Sequence, residues 1–202
     1  MSEFLKIPLL FCPYLIINLS LDNYFNKKNS RNIVAGMHAL GCVILNSCYL
    51  LSSNNLIREC ANNLSIGYFI WDTYYIIINE KINLLRSMYI YHHLSTTYLL
   101  YNSHHISNTN QLILLGELSN LPSYIIYHYL HDGCNSDDKI IKNTKKIQKY
   151  VYGLIRLPIM SGILYNMINT LDFNNYEVKK TFAIVTPIYF MGLIWTFKLI
   201  FQ

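Results

Sequence analysis

The stretch IVAGMHALGCVILNSCYLLSS, residues 33–53, contains no Lys, Arg, Asp or Glu. A transmembrane helix needs about 20 predominantly apolar residues to cross the hydrocarbon core of a bilayer, and this stretch supplies them without interruption. Further apolar runs cover residues 4–21, 60–79, 84–101, 111–130, 147–171 and 182–201. Because backbone groups in lipid need internal hydrogen bonds, runs of this length favour helices. The sequence therefore predicts an all-α, polytopic transmembrane protein of about seven spans.

The overall composition agrees with a membrane protein. The 202 residues are 52% hydrophobic and 13% charged, whereas an ordinary soluble domain has about 25% charged residues. The mean hydropathy is only +0.23, because abundant Asn, Ser and Tyr offset the apolar runs. We divide the chain into residues 1–30, a first span with a basic connector, and residues 31–202, the main membrane domain.

The basic residues predict an orientation in the membrane. With seven spans, ten Lys and Arg side chains lie at one face and four at the other, which favours the first face as cytoplasmic and predicts a cytoplasmic C-terminus. The N-terminal residues lack a basic segment and a small-residue cleavage site, so we interpret them as a first span, although Pro8 and Pro13 interrupt its pattern. The first face holds Lys27, Lys28, Arg31, Lys81, Arg86, Lys139, Lys142, Lys145, Lys146 and Lys149; the second holds Lys6, Arg58, Lys179 and Lys180.

Most middle spans contain an ionisable or strongly polar side chain. Each charged group near the bilayer centre costs about 2.5–3.5 kcal/mol on insertion scales, so such groups are expected to face a protein interior or a wet cavity. At helical spacing they form one polar stripe on each span. The arrangement favours a helical bundle or barrel around a polar-lined cavity; the alternative is a set of structural hydrogen bonds between helices. The residues are His38, Asp72, His92, His93, Glu117, Asn120 and Arg156.

Adjacent histidines in the fourth run are the best candidates for chemistry. An imidazole can act as a base or nucleophile, and a carboxylate such as Asp72 could orient it. We therefore take His92, His93 and Asp72 as catalytic candidates, with His93 on the more polar side of its helix. The remaining four residues, His38, Glu117, Asn120 and Arg156, are cavity or lipid-binding candidates. His104 and His105 fall in a connector and are interpreted as interfacial residues.

The sequence gives less support to a metal site or a cofactor site. The histidines lack the ligand spacings of a membrane di-iron site, haem ligation would need facing histidine pairs, and Lys198 lies too near the C-terminus for a retinal site. The five cysteines have no metal-ligand spacing and are interpreted as reduced packing residues. We predict no metal and no resident cofactor.

Five segments in order resemble the TLC-domain family of membrane proteins, which includes the ceramide synthases. They are RNIVAGMHAL, GYFIWDTYYII, YIYHHLSTTYLLY, GELSNLPSY and RLP, between Arg31 and Pro158. The resemblance implies a helical barrel around a central cavity, a lipid-related role and residence in the endoplasmic reticulum or a related membrane. Residues 31–202 would then form a TLC-like membrane domain.

The resemblance also assigns roles to individual residues. In the synthases, adjacent histidines are the catalytic candidates for moving an acyl group from acyl-CoA to a sphingoid amine, and His92 and His93 match them. His38, Asp72 and Arg156 match other positions typical of the family. The fifth run departs from the synthase pattern, since it reads ELSNLP at residues 117–122. It resembles the non-synthase branch, whose members are tied to membrane phospholipid composition or trafficking.

Three functions remain open at this stage. The first is a membrane protein that binds lipid, or regulates membrane lipid composition, through an intramembrane cavity. The second is a ceramide synthase-like N-acyltransferase, with acyl-CoA as co-substrate and a long-chain amine as acceptor. The third is a membrane cargo or interaction protein. Membrane lipids are the expected partners, nucleic acid is not expected, and homo-oligomerisation and protein partners stay open.

Overall fold

The computed structural model describes residues 3–102 and 108–201, with side chains from residue 9 onward. These residues form helices and short connectors, without a β-strand in the described ranges. A π-helical turn, Ile155–Ile159, joins two of the helices into one continuous helix, so the described residues form seven separate helical segments. The helices are α1 (Glu3–Leu21), α2 (Lys27–Ser52), α3 (Asn55–Asn79), α4 (Leu84–Tyr101), α5 (Thr109–His131), α6 (Lys139–Leu154), α7 (Met160–Thr170) and α8 (Tyr176–Phe201). His104 and His105 lie outside the described residues.

Each predicted apolar run coincides with a helix, and asparagines define where several helices begin. The Asn26 side chain accepts from the backbone N–H of Asn29 at 2.9 Å, which starts α2 six residues before its apolar run. Asn54 and Asn83 cap α3 and α4 in the same way. Asn is among the best N-cap residues because its side chain satisfies a free backbone donor in the first turn.

Among the described residues, three helices are long and apolar enough to cross a membrane. They are α2, the continuous helix Lys139–Thr170 that combines α6 and α7, and α8. The protein is therefore an all-helical membrane protein. Helix α1 is apolar over Leu9–Leu21, a segment shorter than a full span. Helices α3, α4 and α5 do not reach the same hydropathy, and they carry Asp72, the adjacent histidines and Glu117 within their apolar runs.

Helix α2 lies at the centre and packs against α3 and α5. Its buried side includes several small residues, of which Ala39 and Cys42 are fully enclosed. A Cβ on Gly36 would come within 3.6 Å of the Tyr124 Cβ of α5. Small residues let membrane helices approach closely and gain van der Waals contact, which explains why α2 can occupy the centre.

An aromatic cluster fills the space between α1, α2 and α3. Trp71 and Tyr68 of α3 are buried, and Tyr14 of α1 stacks on Trp71 with ring centroids 6.2 Å apart. The Tyr14 hydroxyl donates to the Leu64 carbonyl at 2.9 Å. This cluster holds α1 against α3 and forms one wall around the polar residues described below.

The polar contacts show that α2 to α5 alternate in direction. At one end, Arg31 near the start of α2 contacts Glu80 after the end of α3, and Glu80 also contacts Arg86 at the start of α4. At the other end, the Asn110 amide near the start of α5 donates to Asn46 near the end of α2 at 2.7 Å. The connectors that follow α1, α3 and α5 therefore share one end of the bundle.

Candidate intramembrane site

Arg31 and Asp72 form a two-point ion pair between α2 and α3. Arg31 Nε and Nη2 lie 2.6 Å and 2.8 Å from the two carboxylate oxygens of Asp72. The Asp72 side chain is only 4% exposed and that of Arg31 is 20% exposed. Paired bonds from a guanidinium to a carboxylate are strong and directional, so this pair fixes the register of α2 against α3.

The ion pair continues into a chain of alternating charges. Arg31 Nη1 lies 2.5 Å from Glu80 Oε1, and Arg86 Nε contacts the other Glu80 oxygen. The order Asp72, Arg31, Glu80, Arg86 balances two negative and two positive charges across three helices. From the sequence, Arg31 and Arg86 were counted only among the basic residues at one membrane face. Arg31 nevertheless lies within the motif RNIVAGMHAL that carried the resemblance, and Glu80 follows Asp72 by two helical turns.

His93 of α4 faces the same carboxylate. Its Nδ1 is 3.6 Å from Asp72 Oδ2, which is an electrostatic contact slightly longer than a hydrogen bond, and its side chain is 7% exposed. The His93 ring lies 5.2 Å from Phe69 and 6.2 Å from Tyr68, centroid to centroid. Asp72 and His93, two of the three catalytic candidates, are therefore neighbours.

His38 of α2 lies on the other side of Tyr68. The two rings are parallel, at 7°, with centroids 4.0 Å apart, and His38 is almost completely buried. His38 Nε2 is 3.3 Å from the Ser65 hydroxyl. Phe69 touches both His38 and His93 by ring contacts, so the aromatic pair Tyr68 and Phe69 links the two imidazoles.

His92 occupies a different side of α4, as the rotation of about 100° per residue requires. Its ring centroid is 5.6 Å from that of His93 and 6.2 Å from that of Phe69. His92 is half-buried whereas His93 is buried. The adjacent histidines thus have different surroundings, and only His93 contacts Asp72.

A second polar group surrounds Arg156. Arg156 Nε donates to the Ser119 hydroxyl at 2.9 Å, and Nη2 donates to Asn120 Oδ1 at 2.8 Å. The Tyr152 hydroxyl donates to the same Asn120 oxygen at 2.7 Å, and the guanidinium carbon lies 4.2 Å from the Tyr152 ring centroid. Ser119 and Asn120 belong to the ELSNLP segment, which thereby binds the arginine of the RLP segment.

The π-helical turn places this arginine. Pro158 has no backbone N–H and its ring clashes with the preceding turn of a regular helix, and the wider turn Ile155–Ile159 accommodates it. Such turns are rare and occur frequently at functional sites. The turn also brings Arg156 close to α8, since a Cβ on Gly192 would lie 3.5 Å from Arg156 Nη1.

Glu117 connects the two polar groups. It is 7% exposed, and Arg156 lies within electrostatic range of both Glu117 and His92. Glu117 and Asp72 both act electrostatically on the buried Tyr68. The structure thus brings His38, Asp72 and His93 around Tyr68 and Phe69, with Glu117 within electrostatic range of Tyr68. Asn120 and Arg156 form an adjoining group, and His92 lies within electrostatic range of both His93 and Arg156.

Four of the candidate side chains have buried polar atoms without a hydrogen-bond partner among the described residues. They are Nδ1 of His38, His92 and His93, and Oε2 of Glu117. The great majority of buried polar atoms in folded proteins have a partner, and exceptions call for an explanation such as a bound ligand, water or a catalytic role. Other buried polar atoms, such as Nδ1 of His128, also lack a partner among the described residues. The candidate site is marked by the grouping of four such atoms on three neighbouring helices beside the Asp72 ion pair.

The described ranges place no group of three or more His, Cys, Asp and Glu side chains so that it could hold a metal ion. Comparison with known proteins finds no match to a family model, to a curated protein or to a solved structure.

Proposed function

We propose that this protein binds a membrane lipid through the buried polar site between α2, α3, α4 and α5, and by doing so regulates membrane lipid composition. The proposal rests on one observation above the others: four buried polar atoms of His38, His92, His93 and Glu117 lack partners among the described residues. A lipid with an amide, hydroxyl or phosphate group would supply donors and acceptors to them. Its acyl chains would run along the apolar outer surfaces of the helices.

The proposal includes seven spans in a bundle or barrel. Helices α1, α3, α4 and α5 have 19, 25, 18 and 23 residues, within the range of roughly 17–25 that spans a bilayer. The mean hydropathy of α3, α4 and α5 is lowered by polar groups such as Asp72, His93 and Glu117, which are buried inside the protein and do not face the surrounding acyl chains. Polar residues placed in this way are compatible with spanning helices.

Two predictions from the sequence belong to the same proposal. The ordered motifs support membership of the TLC-domain family, on the non-synthase side because ELSNLP replaces the synthase pattern. Residence in the endoplasmic reticulum or a related membrane, with a cytoplasmic C-terminus, follows from that resemblance and from the basic connectors that share one end of the bundle.

The direct test is to identify the lipids that co-purify with the protein. Wild-type protein and the His93→Ala and Glu117→Gln variants would be purified in detergent, and bound lipids would be extracted and quantified by mass spectrometry. Loss of one hydrogen bond to a polar headgroup is worth about 1.5 kcal/mol, or about tenfold in affinity. We therefore expect one lipid class to be enriched with wild type and to fall about tenfold with either variant.

The matched control is His128→Ala. His128 is on α5 like Glu117, but its side chain is 35% exposed and pairs with Asp132 near the end of the helix. This variant should keep the lipid complement of wild type. An identical lipid complement in all four proteins, with no class enriched over the surrounding membrane, would remove the basis of the proposal.

A second candidate function is N-acyl transfer, and the contact between His93 Nδ1 and Asp72 Oδ2 favours it. Here the amine nitrogen attacks the thioester carbonyl of acyl-CoA, the new C–N bond forms, and the C–S bond breaks. His93 takes the proton from the amine and returns it to the leaving CoA thiolate. Asp72 orients the imidazole, as general base catalysis requires.

The two functions are separated by an assay with labelled acyl-CoA and a long-chain amine. If transfer occurs, purified wild type forms the amide, and His93→Ala lowers the rate by about 10²–10⁴-fold, the usual contribution of a general base. His92→Ala and His128→Ala serve as comparisons. Absence of amide product, with lipid still co-purified, would leave binding as the function.

A further inference from the structure

We infer that the lysine-rich face of α6 binds the phosphate-bearing headgroups of anionic lipids at one surface of the membrane. This inference is independent of the intramembrane site, because the two regions share no residue. It rests on the length of the helix, the arrangement of its faces and the distribution of charge at its start.

The helix is longer than the membrane is thick. The continuous helix Lys139–Thr170 has 32 residues, which corresponds to about 48 Å at 1.5 Å per residue, whereas the hydrocarbon core is about 30 Å thick. About a third of the helix therefore extends beyond the hydrocarbon core. The lysines all fall in its first 11 positions, residues 139–149, so the extension lies at the level of the lipid headgroups.

The first part of this helix has three distinct faces. Ile141, Thr144 and Tyr152 are buried against the protein. Ile140, Ile147 and Leu154 recur every seven residues and are exposed, forming an apolar stripe. The lysine face occupies the remaining side and consists of Lys139, Lys142, Lys145, Lys146 and Lys149.

The lysine face carries a strong excess of positive charge. Lys142 pairs with the exposed Asp137 at 3.2 Å, and within the described part of the chain it is the one lysine of the five in an ion pair. The five lysines line an open surface recess next to Asp137. Since each lysine near an anionic membrane surface strengthens attraction to it, the face is suited to several phosphate groups at once.

The exposed apolar stripe favours a membrane over a soluble polyanion. A helix with lysines on one side and isoleucine and leucine on the next side is typical of segments that lie in the headgroup region. In that position Ile147 and Leu154 contact acyl chains while the lysine stems reach up to the phosphates. A nucleic acid would use the lysines but leave the apolar stripe in water.

The test uses the full-length protein, delipidated in detergent and titrated with phosphatidylglycerol or phosphatidylcholine, with bound lipid counted by native mass spectrometry. We expect wild type to bind phosphatidylglycerol at least about tenfold more tightly, since several lysines contribute. Replacing all five lysines by glutamine should abolish the preference. The matched control K179Q/K180Q, which removes an exposed basic pair at the start of α8, should keep it.

Two further measurements keep the inference testable if the five-lysine variant unfolds, which a thermal unfolding curve would reveal. The double variant K142Q/K146Q should retain the fold and reduce the preference several-fold, and 0.5 M salt should reduce it for wild type. Equal binding of the two lipids by wild type would overturn the inference. So would an unchanged preference in K142Q/K146Q, full displacement of the lipid by millimolar inorganic phosphate, or tighter binding of a short RNA duplex than of phosphatidylglycerol.

Discussion

Asp72 has two partners with different consequences. Arg31 holds both carboxylate oxygens, whereas His93 approaches only one of them at 3.6 Å. A carboxylate fixed by a guanidinium cannot rotate freely, so the direction from which His93 meets it is also fixed. The ion pair therefore supports the geometry of the candidate site as well as the contact between α2 and α3.

Replacing Asp72 by asparagine should destabilise the protein markedly. The change keeps the shape of the side chain but removes one negative charge of the buried chain of charges, which costs on the order of 3 kcal/mol because Arg31 and Arg86 are then balanced only by Glu80. Thermal unfolding in detergent measures the effect. The control Asp137→Asn removes an exposed partner of Lys142 and should cost less than about 1 kcal/mol.

A double variant tests the reason for this loss. Arg31→Met with Asp72→Leu removes both charges together and should recover much of the stability lost in Asp72→Asn, because the remaining charges of Glu80 and Arg86 balance each other. If Asp72→Asn unfolded at the same temperature as Asp137→Asn, the ion pair would not have the structural role described.

At the residue scale, sequence reasoning identified the polar residues inside the helices but not their pairing. Asp72, His38 and Glu117 are recognisable because an ionisable group in an apolar run is costly. Arg31 was interpreted as a connector charge because it precedes the apolar run of α2. The helix begins earlier than that run, at Lys27, because Asn26 caps it. Which helix faces meet depends on packing across α2 to α5, and single-helix spacing does not contain that information.

At the element scale, α1 and α3 cross at Gly67. A Cβ on this residue would lie 2.3 Å from the Leu10 carbonyl oxygen, so no side chain fits without moving one helix. The aromatic contacts of Tyr14 depend on the same crossing. Glycine is required here for close approach, which is a recognised use of glycine in membrane helices.

Gly67→Ala should therefore destabilise the protein by about 1–3 kcal/mol, the usual cost of overpacking. In contrast, a Cβ on Gly116 of α5 meets no atom within 4 Å, so Gly116→Ala should be neutral or stabilising by up to about 1 kcal/mol through helix propensity. Thermal unfolding of the two variants side by side is the measurement. Equal stabilisation of both would show that α1 does not lie against α3 as described.

The positions of the helices could be predicted well from the sequence because their apolar runs are long and separated by polar connectors. The α6 boundary was placed at residue 147, eight residues later than the observed start at Lys139. The missing part is amphipathic and rich in lysine, so a search for apolar runs does not detect it. The π-helical turn has a visible signal in Pro158, but its effect on Arg156 depends on contacts with α5.

At the scale of the whole molecule, the alternation of the helices leads to a topology prediction. Cys134 follows α5 at the basic end of the bundle, and the connector between α7 and α8 lies at the opposite end if every helix spans the membrane. The experiment uses a variant in which Cys134 is the single cysteine. In sealed vesicles with the cytoplasmic face outward, a membrane-impermeant maleimide should label it. A single cysteine in Asn174→Cys should be labelled only after permeabilisation.

The labelling result tests directly whether the continuous helix Lys139–Thr170 crosses the bilayer. If both cysteines reacted in sealed vesicles, the connectors would lie on one side and seven spans would be wrong. Sequence reasoning could predict the orientation from the basic residues, but the choice of seven spans depends on whether α1, α3, α4 and α5 cross the bilayer. The lower hydropathy of α3, α4 and α5 comes from polar residues whose burial becomes visible only in the assembled bundle.

The central claim is that a lipid occupies the polar site around Tyr68 and Phe69. The most direct measurement is cross-linking with a photoactivatable lipid, followed by mass-spectrometric mapping of the modified peptides. We expect cross-links on α3 and α4 near Phe69 and His93 in wild type, with their loss in His93→Ala and their retention in His128→Ala. Cross-links confined to outer surfaces such as Ile194 and Phe197 of α8, unchanged in His93→Ala, would contradict the claim.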